Sequence, residues 1–365
     1  MIVLPTNVAV LDELPSNKCR SSRIYSMLSA YNLLRNTVHS DASAEDYLIQ
    51  EMSTFHSPEY LLALKSQKEN IPFGITDDCP AFDNLWSYCL EVCAGTLRAC
   101  EVVCCQPGEK VAYFLDGGRH HAKADEASGF CYVNDCVVGI NYCKSFFHRI
   151  LYIDVDLHHG DGIQDAFYCS DRVFTFSIHR YEERGFWPNS GALSEEGIGK
   201  GRFFNFNAPL REGMKGKAFL EFAKKAISCI VASNVAPQMI MLQMGLDTLI
   251  GDPFACFSYD SQSMAEFVAF LMEEIQLPLV VLGGGGYNSI ACAKCWSSVI
   301  AKVVKVEIPN DIPETYEFIE ECAPDFTLDL GTTNRKDSNY IEELDSLLCT
   351  LKHRLSLIPT IAKLK

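Results

Sequence analysis

The chain of 365 residues lacks the long apolar runs that a membrane-spanning helix needs. Its apolar stretches near 225–235 and 277–282 are short and interrupted, so we expect no membrane partner. The first residues, Met-Ile-Val-Leu-Pro-Thr-Asn, lack a basic leader followed by an apolar region, so we do not expect secretion. Internal repeats and low-complexity linkers are also missing, and we therefore expect one domain over residues 1–365.

Positive charge is scarce. Lysine and arginine number 31 against 47 aspartate and glutamate residues, which gives a formal net charge of −16 at pH 7. An acidic surface repels phosphate backbones and no basic patch is evident, so we expect no direct binding to nucleic acid. The same field attracts cationic partners such as lysine-rich peptides, although acidity that only keeps the protein soluble explains the charge equally well.

The seventeen cysteines are odd in number and irregularly spaced, which argues against a disulfide framework. Several lie in apolar periodic segments, where thiols pack as small hydrophobic groups in a reducing compartment. These are Cys89, Cys93, Cys100 and Cys229. Cys292 and Cys295 have the Cys-x-x-Cys spacing, but no partner pair lies near them in sequence, which favours packing on a helix.

Apolar periodicity alternates between helical and strand-like segments along the chain. Helices are predicted over 21–36, from Ser57-Pro58 to 64, over 84–105, 128–146, 214–234 and 260–275, after Tyr287, and over 339–357. Strands are predicted over 111–115, 149–155, 173–178, 238–244 and 278–282, a strand or loop from 42, and a surface loop over 180–201. This alternation predicts an α/β fold with one central parallel, doubly wound sheet of about eight strands, flanked by helices. Residues 307–365 have the pattern of a peripheral C-terminal segment.

Residues 150–162 read Ile-Leu-Tyr-Ile-Asp-Val-Asp-Leu-His-His-Gly-Asp-Gly. On an extended backbone, side chains two positions apart share a face, so Asp154, Asp156 and His158 are expected to point the same way. Two carboxylates and one imidazole suit a divalent metal of the zinc type. A solvated acidic loop is the alternative, but three aligned donors would be a costly use of a buried strand. The segment therefore predicts a metal site.

Three further polar segments follow strand-like runs, at the edge where the loops of a parallel sheet converge. The first carries His120 and His121 on a glycine turn, the second ends in Asp247, and the third is a run of four glycines before Tyr287. Taken singly, Asp247 could be a helix cap and the glycine run a plain turn. Taken together, the segments predict that histidine, aspartate and tyrosine share one rim.

Four segments resemble the zinc-dependent histone deacetylases of class I type. They are Gly-Gly-x-His-His-Ala-Lys (117–123), Ala-Ser-Gly-Phe-Cys-Tyr-Val-Asn-Asp (127–135), Asp-Val-Asp-Leu-His-His-Gly-Asp-Gly (154–162) and Gly-Gly-Gly-Gly-Tyr-Asn (283–288). The resemblance is strongest over residues 20–300. It implies the arginase–deacetylase fold, one catalytic Zn²⁺, one or two structural K⁺ ions, and hydrolysis of N6-acetyl-lysine in proteins, including histones.

The resemblance also implies a role for individual residues. The implied zinc ligands are Asp156, His158 and Asp247. The implied catalytic residues are His120 and His121 at the attacking water, their carboxylate partners Asp154 and Asp161, and Tyr287 at the substrate carbonyl. Of the two histidines, His121 is our choice for protonating the leaving lysine amine, while the division of the other steps stays open.

Further implied residues bind substrate or potassium. The substrate-binding set, which forms a tunnel and its rim, is Asp78, Gly129, Phe130, Trp187, Phe254, Gly285 and Gly286. The potassium ligands, several through main-chain oxygens, are Asp154, Asp156, His158, Ser177 and Ile178 at one site and Phe167, Ser170, Val173 and Phe204 at a second. Arg20 matches an arginine of an internal channel.

The chain also departs from the family pattern. Trp187 stands where phenylalanine is usual, and Leu246 replaces the usual alanine beside Asp247, which leaves the preference for acetyl over longer acyl groups open. Three other functions remain as alternatives: a deacetylase of small amines such as polyamines, a two-metal ureohydrolase, and a non-catalytic reader of acetyl-lysine.

The expected partners follow from the substrate class implied by the resemblance. They are acetylated histone tails or other acetyl-lysine proteins, and the need for a corepressor complex is left open. Substrate class also implies chromatin and transcription regulation in the nucleus, with the cytoplasm left open because no basic import cluster is evident.

Overall fold

A computed structural model describes residues 1–359. Within this range, eight strands form one sheet in the order β2-β1-β3-β8-β7-β4-β5-β6, and every neighbouring pair is parallel. The strands are β1 (Ile2–Leu4), β2 (Thr37–His39), β3 (Val111–Phe114), β4 (Ile150–Asp154), β5 (Val173–Arg180), β6 (Asn205–Leu210), β7 (Met239–Gln243) and β8 (Leu279–Leu282). The predicted α/β fold with a parallel sheet of eight strands is confirmed.

Helices connect these strands. They are α1 (Val8–Leu11), α2 (Arg20–Ala30), α3 (Glu45–Met52), α4 (Pro58–Ser66), α5 (Leu85–Cys105), α6 (Asp135–Cys143), α7 (Asp161–Phe167), α8 (Gly216–Val231), α9 (Ser261–Phe270), α10 (Ser289–Val303) and α11 (Ile341–Leu357). Short 3₁₀ turns span Ile71–Phe73, Gly199–Gly201 and Ile319–Cys322, and a π-turn over Leu271–Ile275 extends α9. The helix predicted to start at Ser57-Pro58 is confirmed, because the Ser57 hydroxyl accepts from the Tyr60 amide and Pro58 occupies the first turn.

Both faces of the sheet are buried. In β4, Leu151 and Ile153 join the core shared with α2, α8, α9 and α10, while Ile150 and Tyr152 join the core on the α5–α6 side. Parallel strands covered on both faces read as continuous apolar runs rather than as an alternation of apolar and polar residues. This is why the central strands were recognisable from the sequence.

Several elements differ from the prediction. The segment from 42, predicted as strand or loop, contains α3, and the helix predicted from 128 begins only at Asp135. A helix cannot run through Gly129 and Phe130, because both have positive φ, and the Asn134 side chain caps the start of α6. The helix predicted over 21–36 ends at Ala30, and the chain then enters β2. Strands β1, β2 and β6 and helices α1 and α7 were not predicted.

The C-terminal part packs on the same core as the sheet. Helix α11 buries Leu347, Leu348, Leu351 and Leu355. Residues 360–365, which belong to the predicted peripheral segment, lie outside the described residues.

All seventeen cysteines lie within the described part, and there each of them is a free thiol. Cys89, Cys93 and Cys100 are buried in α5, as predicted for thiols that pack as small hydrophobic groups. Cys292 and Cys295 are buried in α10. Across residues 1–359, no helix combines the length and apolarity needed to cross a bilayer.

Gly95 gives a test of how tightly α5 packs on β3. A Cβ atom at Gly95 would lie 2.1 Å from Cζ of the buried Phe114 ring. Gly→Ala in an open helix stabilises by up to about 1 kcal/mol. Here we expect Gly95→Ala to lower the free energy of unfolding by about 1–3 kcal/mol, because the core must move to admit the methyl group. Urea unfolding measures the change, with the exposed Gln262→Ala in α9 as control; a more stable Gly95→Ala variant would contradict the packing.

Candidate active site

The candidate site lies at the carboxyl ends of four central strands. In the sheet, β3, β8, β7 and β4 are neighbours, and all run the same way, so their carboxyl ends meet at one edge. The loops that follow them carry the four polar segments recognised in the sequence, and the structure brings these segments together. Convergence at this edge is the usual place for a ligand site in a parallel α/β fold.

Asp156, His158 and Asp247 form a buried cluster of three potential ligands whose donor atoms all lie within 4.8 Å of one another. Nδ1 of His158 lies 3.0 Å from Oδ2 of Asp247 and 3.5 Å from Oδ1 of Asp156. Each of the three residues is at most 5% exposed. Two oxygen ligands and one nitrogen ligand in a closed pocket are the donor set of a zinc site with an open position.

The reason that Asp156 and His158 face the same way differs from the prediction. Strand β4 ends at Asp154, so the two residues lie in the following loop and not on an extended strand. The backbone amide of Asp156 donates to the Asp154 carboxylate at 3.1 Å, and that of His158 donates to the Asp156 carboxylate at 3.0 Å. Two successive turns closed by side-chain carboxylates therefore position the ligands.

Other groups hold the ligand carboxylates from outside the cluster. Nε2 of Gln243 and the amide of Gly285 both donate to Oδ2 of Asp156, at 2.8 and 2.9 Å. The amide of Leu157 donates to Oδ1 of Asp247 at 2.9 Å. Sequence reasoning gave Gln243 no role, although its polar side chain at the end of a buried strand was an available signal. Hydrogen bonds of this kind orient metal ligands.

The electrostatics of the cluster favour a cation. Burial and the neighbouring Asp156 carboxylate raise the pKa of Asp247 to about 8. Burial lowers the pKa of His158, but hydrogen bonds and charge from Asp156 and Asp247 outweigh it and raise the pKa to about 10. Asp247 and His158 thus hold protons tightly. Burial raises the pKa of Asp156, but the charge of His120 and the hydrogen bond and charge of His158 outweigh it and hold that pKa well below the usual range, so Asp156 stays ionised. A divalent ion can replace these protons, so the residues present fit zinc.

His120 and His121 are each paired with a buried carboxylate. Nδ1 of His120 lies 2.7 Å from Oδ2 of Asp154, and Nδ1 of His121 lies 2.8 Å from Oδ1 of Asp161. The second oxygen of Asp161 lies 2.7 Å from Nζ of Lys123. Because each Nδ1 is engaged, the Nε2 atom of each ring remains the atom for chemistry.

The two pairs differ in electrostatics. Burial lowers the pKa of His120, but the Asp154 and Asp156 carboxylates outweigh it and raise the pKa to about 9. For His121, burial and then the positive charge of His120 lower the pKa to about 4. The neighbouring rings, whose centroids are 3.8 Å apart, therefore favour opposite protonation states near neutral pH.

A tunnel of about 230 Å³ leads from the surface to the cluster. Its lining is mainly aromatic and consists of Asp78, His121, Gly129, Phe130, His158, Trp187, Phe254 and Tyr287. Gly129 has φ +55°, and a Cβ there would lie 2.2 Å from the Trp187 indole, so only glycine fits beside that wall. The Asp78 carboxylate, exposed at the rim, accepts from the Gly129 amide at 2.8 Å.

Tyr287 lies at the base of the tunnel. Burial, and then the charges of Asp247 and Asp156, raise the pKa of its phenol well above the usual value, so the hydroxyl stays protonated and can donate. Asp252 positions this wall: its carboxylate accepts from the amide of Tyr287 at 2.8 Å and from that of Phe254 at 2.9 Å. Sequence reasoning missed Asp252, since a lone aspartate before proline also suits an ordinary turn.

A smaller internal cavity of about 20 Å³ lies beyond the cluster. Gly285 lines it, whereas Gly286 lines neither this cavity nor the tunnel. Nη1 of Arg20, buried behind the glycine run, donates to the carbonyl of Gly284 at 2.8 Å and of Gly286 at 3.3 Å.

The residues predicted to bind potassium fall into two groups around β5. Ser177 pairs with Asp154 in the sheet register, and Ile178 follows it, next to the loop of Asp156 and His158. Phe167, Ser170, Val173 and Phe204 lie between the end of α7, the start of β5 and the residue before β6. The carbonyl of Phe167 accepts from the Ser170 amide, and that of Phe204 from Thr175, both at 2.9 Å. Both potassium sites stay predictions.

Comparison with known proteins identifies relatives of this chain. The family model described as "Histone deacetylase domain" matches residues 14–303. The chain is 34% identical to histone deacetylase 8 of Xenopus tropicalis over 345 residues, which cover 92% of this chain and 91% of the relative. It is 33% identical to histone deacetylase 8 of Danio rerio, covering 96% and 93%. It is 36% identical to histone deacetylase 1 of Homo sapiens, covering 85% and 65%.

The cluster geometry predicts the metal stoichiometry. We expect the purified chain to bind one Zn²⁺, and we expect Asp247→Asn to weaken zinc affinity by at least about a hundredfold, because a charged ligand is lost. Competition with a chromophoric chelator measures the affinity, and elemental analysis gives the count. The control is Asp165→Asn, since Asp165 is an exposed carboxylate that forms an ion pair with Lys123 beside the site. Two tightly bound ions per chain would be incompatible with a single centre.

Proposed function

The chain belongs to the zinc-dependent histone deacetylase family of class I type, and we propose that it hydrolyses the N6-acetyl-lysine amide of proteins, including histone tails. Family membership makes it a hydrolytic deacetylase. The observation that supports the finer proposal is the buried Asp156–His158–Asp247 cluster at the base of an aromatic tunnel, with two histidine–aspartate pairs and a phenol around it.

Asp156, His158 and Asp247 would hold the zinc ion. When bound, zinc polarises the amide carbonyl and lowers the pKa of water, so that hydrolysis proceeds near neutral pH. Hydrogen bonds from the Gln243 side chain and the Leu157 amide hold the two carboxylates in place, and His158 lines the tunnel through which the substrate would reach the ion.

His121 is the residue that we assign to proton transfer. It lines the tunnel, whereas His120 lines only the inner cavity, and its lowered pKa keeps Nε2 free to accept a proton. It accepts the proton of the attacking water and returns it to the lysine nitrogen as the carbon–nitrogen bond breaks. Asp161, held by Lys123, fixes the ring and stabilises its charged form. His120, favouring the protonated state, donates from Nε2 and supplies positive charge.

Tyr287 stabilises the negative charge that develops on the substrate oxygen. Its protonated phenol lines the tunnel together with His121, and Phe130 and Phe254 pack against it with ring centroids 5.7 and 4.9 Å away. A preorganised donor of this type contributes most in a site from which water is excluded.

The tunnel and its rim match an acyl-lysine within a peptide. Aromatic walls bury the four methylene groups of the lysine stem. The exposed Asp78 carboxylate can accept hydrogen bonds from the amides of the peptide backbone at the mouth. An acidic chain of net charge −16 also attracts lysine-rich tails.

One observation favours a second candidate, the two-metal ureohydrolase. His120, His121 and Asp156 form another group whose donor atoms lie within 4.8 Å of one another. Both imidazoles, however, use Nδ1 for carboxylates, and Asp154 is taken by His120 and Tyr152. A single-metal hydrolase explains these pairs more simply, and the metal stoichiometry separates the two functions.

We also propose a structural role for K⁺, a cellular location and a class of partner proteins. Structural K⁺ at the two groups around β5 would stabilise the loop that carries Asp156 and His158. From the substrate class we propose that the protein acts in the nucleus, with the cytoplasm left open, and that a corepressor complex brings it to acetylated chromatin.

Tyr287→Phe tests the assigned chemistry. Removing the hydroxyl should lower kcat on an acetyl-lysine peptide by about a hundredfold or more, with little change in KM, since the donor acts chiefly in the transition state. A fluorogenic peptide assay measures both constants. Tyr142→Phe on α6 serves as the matched control and should retain full activity. An unchanged rate in Tyr287→Phe would instead support a site that binds acetyl-lysine without hydrolysing it.

Asp78→Asn separates protein substrates from small amines. We expect kcat/KM for an acetyl-lysine peptide to fall at least about tenfold, because a charge-assisted hydrogen bond to the backbone weakens. Turnover of acetylated spermidine, which has no peptide backbone, should stay within about twofold. The neighbouring exposed Asp77→Asn is the control. Equal losses on both substrates would show that Asp78 acts on the fold of the rim and not on peptide binding.

A further inference from the structure

The internal cavity meets the tunnel at a set of shared residues. His121, Gly129, Phe130 and Tyr287 line both spaces. If the scissile carbonyl lies between His121 and Tyr287, the lysine stem occupies the tunnel and the acyl chain must point into the cavity. The cavity therefore receives the part of the substrate that distinguishes acetyl from longer acyl groups.

Arg119 forms one wall of this cavity. It directly precedes the catalytic histidine pair, and it is only 5% exposed. Its backbone amide donates to the buried Asp135 carboxylate at 2.7 Å, and Nη2 donates to the Asp116 carbonyl at 2.9 Å. Its Nε atom has no hydrogen-bond partner among residues 1–359. A long, charged side chain is thus fixed in place beside the space that the acyl group would enter.

Asn17 also lines this cavity, and hydrogen bonds hold its side chain. With its amide oriented so that both polar atoms are satisfied, it donates to the Gly286 carbonyl and accepts from Arg20. Arg20 in turn is tied to the carbonyls of the glycine run. Neither wall can withdraw without breaking buried hydrogen bonds, which is costly.

We infer that Arg119, together with Asn17, restricts the acyl group to acetyl; the inference rests on the proposed function. The cavity of about 20 Å³ has room for roughly one water-sized group, which the acetyl methyl fills. A propionyl or butyryl chain would have to displace a packed wall and press apolar surface against a buried guanidinium.

Trp187 is the other residue that could set acyl preference. It lines the tunnel but not the inner cavity, and it is 39% exposed. Its ring packs against His121 with centroids 4.5 Å apart and against Gly129. It therefore contacts the position of the lysine stem. Changes at Trp187 should alter all acyl substrates together.

The experiment compares one peptide carrying acetyl-, propionyl- or butyryl-lysine in the zinc-loaded full chain and in its variants. In the wild type, we expect kcat/KM to fall roughly tenfold or more for each added methylene. Arg119→Ala should raise the butyryl-to-acetyl ratio at least about tenfold, Asn17→Ala should raise it in the same direction, and Arg119→Lys should keep most of the restriction. Trp187→Phe should leave the ratio within about twofold.

Four results of this experiment would overturn the inference that Arg119 and Asn17 restrict the acyl group. A wild type that hydrolyses butyryl-lysine as fast as acetyl-lysine overturns it without any variant. An unchanged ratio in both Arg119→Ala and Asn17→Ala, with acetyl hydrolysis and zinc content retained, overturns it while leaving the proposed function intact. A larger change in Trp187→Phe than in Arg119→Ala also overturns it. If the wild type cleaves no acyl-lysine at all, the proposed function itself fails, and the inference fails with it.

Discussion

The arrangement of the candidate site depends on three buried carboxylates that lie close together at the carboxyl edge of the sheet. Asp154, Asp156 and Asp247 are buried beside one another, and carboxylates in such a place are costly unless each has donors or a cation. The strands and the loops that follow them supply these donors: a glutamine side chain, backbone amides, two imidazoles and a tyrosine hydroxyl. The glycines of the site follow from the same constraint, since a Cβ at Gly245 would lie 2.0 Å from the Asp156 carboxylate.

The same buried carboxylates also explain why the adjacent residues His120 and His121 differ in pKa. His120 faces two carboxylates, while the second oxygen of the Asp161 partner of His121 is engaged by Lys123. Once His120 is charged, its positive charge disfavours a second proton on His121. Two identical side chains on one glycine turn thereby acquire separate chemical properties from their environment.

The sequence predicted the central strands and the polar segments of the candidate site better than it predicted the outer strands of the sheet. The central strands and polar segments were found because parallel strands covered on both faces are continuous apolar runs and because their loops converge. Strands β1 and β2 have three residues each, and β6 contains two asparagines and a proline, so periodicity does not reveal them. Gln243 was missed although a polar side chain at the end of a buried strand is a sequence signal. Asp252 was missed because its partner Tyr287 lies 35 residues away in the sequence. Only the folded arrangement shows that an ordinary turn aspartate holds the backbone of Tyr287 at the candidate site.

The arrangement of the strands links metal binding to the cooperativity of folding. The three candidate metal ligands follow β4 and β7, the histidine pair follows β3, and Tyr287 follows β8, so no contiguous stretch of the chain contains the candidate site. The site forms only when all four strands are paired in their native register, and an unfolded chain offers no comparable ligand set. Any ion that binds the assembled edge therefore stabilises the whole sheet by mass action, and folding and metal loading become a single linked equilibrium.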